Sequence, residues 1–209
     1  MKFWMSGPYC SILERATSHP TQGAKLVAAN RKVDRRTLKT RAALLTAFRD
    51  LVLSHGYAEV AVGDIIRRAQ IGRSTFYLHF ASKQALLNHS LDVPSAGLAA
   101  CVDRHIAAEH LVPLLEHFRS QRHLNRVFFE DPIRSIWVYR LATLVGQKLR
   151  GRTAPSRPSP VLPRSFVAST IAEMQIAMIT YWVRAAASVP AERVAVALLN
   201  NTRALLSSS

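Results

Sequence analysis

Between Val62 and Phe80 the chain states one short apolar pattern, breaks it, and starts another. Val62, Ile65, Ile66 and Ala69 follow the i, i+3, i+4, i+7 spacing of a single helical face. Gln70-Ile71-Gly72 interrupts that face, and Phe76 and Phe80 then recur one turn apart. The spacing predicts a two-turn helix, a three-residue turn and a second two-turn helix, which is a helix-turn-helix. On a wheel of the second helix, Phe76 and Phe80 share the core side, while Ser74, Thr75 and Leu78 lie opposite, flanked by Tyr77 and His79.

In this motif the second helix enters the major groove of DNA. On that geometry Ser74, Thr75 and Leu78 face base edges, and Tyr77 and His79 reach phosphates on either wall. Arg73 and Lys83 begin two short helices, where a cation opposes the positive end of the helix dipole. Phosphates would supply the missing anion. The candidate DNA-binding residues are therefore Arg73, Ser74, Thr75, Tyr77, Leu78, His79 and Lys83. Arg67 and Arg68 close the preceding helix, where cations are favoured in any case.

The charge distribution agrees with a polyanionic partner. The net charge of the 209-residue chain is +15. Lys and Arg outnumber acids seven to two over residues 1–36, seven to three over 37–90, and fourteen to eight over 91–209. A field of one sign along the whole chain favours nucleic acid first and an anionic membrane surface second. No uninterrupted apolar run reaches the roughly 18 residues of a membrane span, and no membrane partner is expected. Cys10 and Cys101 are too few and too far apart for a disulfide framework, which suits a reducing cytosol.

Around the motif the reading is all-α. Residues 1–35 lack a sustained period and read as a disordered basic arm. Residues 36–90 form the DNA-binding domain, whose first helix runs from Thr37 to a glycine cap at Gly56, with Leu38, Ala42, Leu45, Phe48 and Val52 at helical spacing. Ser82 is placed to cap a fourth helix, which carries Leu86 and Leu87 and stops before Pro94. Residues 91–209 form a second helical domain, with segments near 95–109, 111–129 and 132–150 divided at Pro113 and Pro132. A proline-rich linker occupies 151–163. Two helices close the chain, from Arg164 to about Val189 and from Pro190 to Leu206.

The helix 164–189 is apolar on two faces. One stripe holds Val167, Ile171, Met174, Met178, Tyr181 and Trp182; the other holds Ala172, Ile176, Ile179, Val183 and Ala187. Its polar strip is Ser169, Glu173, Thr180 and Arg184. Two apolar faces need cover from two sides, which predicts a partner subunit. Ile176, Ile179, Val183 and, on the last helix, Leu198 are the candidate dimer residues. Adaptable methionine and aromatic side chains make Trp137, Met174, Met178 and Trp182 candidates for lining an effector pocket. Arg140 interrupts the apolar side formed by Ile133, Trp137 and Leu144; it reads as an ion pair with Glu173 or Glu116, or as an anchor for an acidic effector.

Residues 101–123 gather Cys101, Asp103, His105, Glu109, His110, Glu116, His117 and His123. Cys101 and His105 stand at i, i+4 and could share a helical face, but no HExxH or paired CxxC supports a metal. No nucleophile elbow, phosphate loop or dinucleotide loop is present, so neither an enzyme nor a cofactor is expected.

The stretch GYAEVAVGDIIRRAQIGRSTFYLHFASKQALL (56–87) resembles the DNA-binding module of the TetR family of bacterial transcriptional regulators. The shared features are Gly56-Tyr57, Ile65, Ala69, Thr75-Phe76-Tyr77, His79-Phe80 and Lys83. The resemblance implies DNA contact by Thr75, Tyr77, His79 and Lys83. It further implies homodimers on palindromic operators, a C-terminal domain that binds a small molecule and dimerises through its last two helices, and action as a cytoplasmic repressor released by effector. DNA binding without an effector is the alternative on the same residues, and a basic helical interaction protein with a degenerate module is another. Ala61 departs from the family's usual Ser or Thr and removes a side-chain cap worth about 1 kcal/mol. Gln70 stands where glycine is common, and Gly72 where serine is.

Overall fold

A computed structural model describes residues 27–122, 126–151, 162–185 and 189–207, with the backbone alone over 27–34. No strand occurs among the described residues. The helices are α1 (Val27–His55), α2 (Val62–Ala69), α3 (Arg73–His79), α4 (Lys83–Ser90), α5 (Asp92–Ala99), α6 (Val112–Ser120), α7 (Ile133–Arg150), α8 (Arg164–Arg184) and α9 (Ala191–Ser207). Short 3-10 turns lie at Ala100–Val102, Ala108–His110 and Arg126–Phe129. The chain divides into two compact units between Leu86 and Leu87, four residues before the expected boundary.

In the first unit α1 packs on α2, and the core is Leu44, Ala47, Phe48, Val52, Val60, Ile65, Phe76, Phe80 and Leu86. The expected face of α1 is turned slightly. Leu44 is buried in place of Leu45, and Leu38 is exposed because the packed face begins further along the helix. Gly56 ends α1 at φ 81°, a left-handed conformation that favours glycine, and its N–H donates to the Val52 carbonyl at 2.9 Å. The reading of 1–35 as a disordered arm is corrected over its last part, because α1 is already helical at Val27. Residues 1–26 lie outside the described residues.

In the second unit α8 packs along α7 and α9. Gly146 of α7 faces Ala168 of α8, where an added Cβ would make an ordinary contact at 3.7 Å. Phe118, Phe129 and Trp137 form a ring cluster with centroids 5.3–5.8 Å apart. The Trp137 Nε1–H donates to the buried Ser95 hydroxyl at 3.1 Å. Gln175, also buried, donates from Nε2 to the Leu98 carbonyl (3.3 Å) and the Thr202 hydroxyl (3.0 Å).

The segment near 95–109 is not one helix. α5 starts before Pro94, which its first turn accommodates, and gives way to a 3-10 turn and an extended Asp103. α8 stops at Arg184, five residues short of the expected end, and Ala185 is extended. The linker over 152–161 and Ala187 fall outside the described residues. Among the described residues α8 is the one helix long and apolar enough to cross a membrane by length and composition. Its buried residues, from Val167 to Val183, are those of a bundle's core helix.

Candidate nucleic-acid interface

α2 begins at Ala61, which has no side chain able to cap. Asp64 compensates from within the helix: its carboxylate accepts the Ala61 N–H at 3.1 Å and also meets Arg67 at 2.6 Å. The acid three residues into the helix was the readable signal for this cap, and sequence reading passed over it. The helix ends in a Schellman turn, with the Gln70 N–H on the Arg67 carbonyl and the Ile71 N–H on that of Ile66, both at 3.2 Å. Gln70 therefore adopts the left-handed conformation, at φ 55°, the only described non-glycine residue to do so.

This turn aims α3. Phe76 is fully buried and Phe80 nearly so, their centroids 6.4 Å apart, and they pin the inner side. Leu78 is 81% exposed and Tyr77 48%. Arg73 and Ser74 are exposed, and Thr75 and His79 are half-buried. The outward face expected from the wheel is thus the face that the packing leaves to solvent. The Arg73 guanidinium lies 6.0 Å from the centroid of the Tyr77 ring, so the two side chains share one edge of the helix.

Lys83 stands differently from the expectation of a cation awaiting an anion. Its ammonium donates to the Tyr57 carbonyl at 2.8 Å and the Ala58 carbonyl at 3.4 Å, and lies 4.3 Å from the Tyr57 ring centroid. Those groups offset the unfavourable dipole of α4, and tie its start to the loop between α1 and α2. Ser82 supplies the side-chain cap, its hydroxyl accepting the Ala85 N–H at 3.0 Å.

The residues singled out for dimerisation are corrected. Ile176, Ile179 and Leu198 have no exposure and Val183 has 7%, all within the core of their own unit. The stripe assigned to a partner is the one that α7 and α9 cover. What α8 leaves outside is Phe166 (56% exposed) and Tyr181 (80%), with Met174, Ala177 and Met178 half-buried between them. On α9 the Asn201 amide donates to the Met178 sulfur at 3.3 Å, which places Asn201 beside this face.

The candidate effector residues Trp137, Arg140 and Trp182 each have a partner of their own. Trp137 is sealed in the ring cluster. Arg140 pairs with Asp92, whose other oxygen is 3.0 Å from the His89 ring. The expected Arg140 partners are engaged elsewhere, Glu173 by Arg134 and Glu116 by Arg119. Trp182 donates to the Val189 carbonyl at 2.8 Å. Among the described residues no group of His, Cys, Asp and Glu is arranged to hold a metal. Cys101 is buried, its thiol pushed up to about 12 by desolvation, and Asp103 pairs with Lys148 at 2.8 Å.

Two short helices joined by a three-residue turn, with the second held by buried phenylalanines and open on its outer side, define a helix-turn-helix protein. Residues 44–89 match the family model described as "Bacterial regulatory proteins, tetR family", a match that spans the last turns of α1 and the whole of α2 and α3 and ends within α4. The chain is 43% identical over 58 residues to the HTH-type transcriptional regulator YxbF of Bacillus subtilis (strain 168), a match spanning 27% of this chain and 15% of that protein. It is 35% identical over 54 residues to the HTH-type dhaKLM operon transcriptional activator DhaS of Lactococcus lactis subsp. lactis (strain IL1403), covering 26% of this chain and 29% of that one. Less than a third of either relative's length is therefore matched. A TetR transcriptional regulator from Streptococcus agalactiae shares the fold over 83% of this chain and 98% of its own, with a TM-score of 0.55 and 24% identity.

Proposed function

We propose that this protein is a sequence-specific DNA-binding transcriptional regulator that acts as a homodimer on a palindromic operator. The observation that carries it is the outer face of α3, where Leu78 is 81% exposed between Ser74 and Thr75 on a helix anchored by Phe76. A leucine so placed gains nothing in water, whereas the C5-methyl of thymine offers it an apolar partner in the major groove. Arg73, Tyr77 and His79 border the same face and are read as backbone contacts. Lys83 is read as a phosphate contact whose position is set by its carbonyl partners.

The dimer is read on the outer face of α8 and α9, from Phe166 through Ala177 to Tyr181 and beside Asn201, which replaces the buried stripe. Effector release and repression are what the family resemblance implies. The second unit supports them only in being a separate helical body that a ligand could rearrange.

Binding selection on randomised duplexes with wild type and Leu78→Ala tests this reading. Wild type is expected to return a palindrome, and the variant to lose its preference for thymine at one position in each half-site. The expected loss there is on the order of 1 kcal/mol, from about 0.8 per buried methylene. Identical preferences from the two proteins would make Leu78 a spacer and overturn this orientation of α3.

A further inference from the structure

The end of the second unit at which α7 finishes and α8 begins gathers cations that the helix-turn-helix does not use. Gly146 faces Ala168, Arg134 pairs with Glu173 and Glu130 with Arg184, so α7 and α8 run antiparallel. One turn beyond the Gly146–Ala168 contact stand Arg150 on α7 and Arg164 on α8. They lie at the same level, each on the side of its helix that carries the contact. Lys148, in the same turn of α7, bonds to Asp103 at 2.8 Å, which brings in the segment after Ala100–Val102 and with it Arg104. Arg203 of α9 closes the group by donating to the carbonyls of Arg104 (3.4 Å) and Ile106 (2.9 Å).

These five cations stand against Asp103, already paired, and Glu109, three residues beyond Ile106. Arg104, Arg150 and Arg164 are exposed, and none joins an ion pair among the described residues. The neighbouring sequence supplies no acid either, since no Asp or Glu occurs between Asp131 and Glu173. Helix packing thus sets like charges level with one another, and an external anion would relieve their repulsion. The three arginines lie on three separate segments and open to solvent, which suits an extended polyanion better than an enclosed small molecule. Guanidinium groups match phosphate oxygens in pairs. A regulator held on DNA by its first unit already meets flanking duplex at an effective concentration on the order of millimolar. Weak contact that ignores sequence is then enough.

We infer that Arg104, Arg150 and Arg164 form a second, sequence-independent DNA-binding surface. It holds the phosphodiester backbone of another duplex, or of a distant segment of the same one, while α3 reads the operator. The inference rests on the DNA-binding reading above and makes the protein a bridge between two stretches of DNA.

The test uses the full-length protein at 100 mM KCl, bound to a biotinylated 40-base-pair duplex of mixed sequence on a surface. A fluorescent duplex of the same length is then captured from solution, and capture is measured per protein bound. The variant is Arg104→Gln/Arg150→Gln/Arg164→Gln. A control, Arg122→Gln/Arg126→Gln/Arg193→Gln, removes the same charge from exposed positions of the same unit. Arg126 lies before the start of α7 and Arg193 in the first turn of α9, at the ends of those helices away from the cluster. Capture is expected to fall at least about tenfold in the variant and less than about twofold in the control. Equal capture by variant and control, or no capture by wild type bound to the surface, would overturn the inference and leave the regulator reading intact. Failure of wild type to bind the surface duplex at all would instead sink the regulator reading, and the inference with it. If the variant loses binding to vesicles of anionic phospholipid while its duplex capture equals the control's, the cluster faces a membrane and the inference is overturned.

Discussion

Gln70 shows how one residue carries a local conflict. The Schellman turn between α2 and α3 needs a left-handed residue, and Gln70 occupies it at φ 55°. A side chain with a Cβ costs about 1–2 kcal/mol in that conformation. Gln70→Gly removes this cost and returns about 0.5–1 kcal/mol to the flexibility of the unfolded chain. Net stabilisation of about 0.5–1 kcal/mol is expected, read as a higher midpoint of urea unfolding at constant slope. A lower midpoint would mean that the Gln70 side chain makes a contact worth more than its strain. Lys83 and Asp64 carry the opposite lesson. Both fill a gap left by a neighbour, Lys83 by bonding to the Tyr57 carbonyl and Asp64 by capping the helix that Ala61 cannot cap.

Cys101 gives a second prediction at this scale. Burial pushes its thiol from the ordinary 9.0 up to about 12, so the folded state keeps a proton that the unfolded state loses above pH 9. The unfolded state then binds fewer protons, and stability falls as pH rises from 9 towards 12, by up to about 1.4 kcal/mol per unit. Tyr57, also raised by burial, contributes with the same sign. Cys101→Ala should therefore flatten alkaline unfolding relative to the parent protein, although it lowers stability at neutral pH. An unchanged pH profile would show that the thiol ionises freely in the folded state.

Among the elements α8 is decisive, because two apolar faces on one helix leave open which is inside. α7 and α9 cover the Ala172, Ile176, Ile179 and Val183 side. Ile179→Glu would strand a charge in that core at a cost of about 3–5 kcal/mol. Loss of helical content, not separation into folded monomers, is the expected result by circular dichroism. Tyr181→Glu, on the outer face, should keep helical content and melting temperature while light scattering reports a monomer. If Tyr181→Glu remains a dimer, the α8–α9 outer face is not the interface.

At the scale of the whole molecule, charge and fold act on different parts of the function. The excess of cations runs through every part of the chain, so general attraction to polyanions needs no particular helix. On the proposed reading selectivity falls to α3, whose outer side is small, aromatic and apolar rather than basic. The two compact units meet in sequence within α4, between Leu86 and Leu87. One unit carries the surface read as DNA-contacting, and the other carries the surface read as self-associating.

Periodicity and capping chemistry placed α2, α3 and α4 from sequence alone. Phe76 and Phe80 at i, i+4 leave only one way to turn α3, so the exposure of Leu78 followed from spacing. Gly56 and Ser82 marked ends because their chemistry is local, a left-handed backbone in one case and a hydroxyl acceptor in the other. The start of α1 at Val27 was not legible, since the extension buries no described side chain and leaves no apolar period to find. Only the tertiary structure decided which stripe of α8 is core, that Trp137 belongs to a ring cluster, and that Arg140 pairs with Asp92. Each of those depends on contacts between residues far apart in the chain, chosen by shape and by competition among several possible partners. Spacing along one helix carries no information about which neighbour wins.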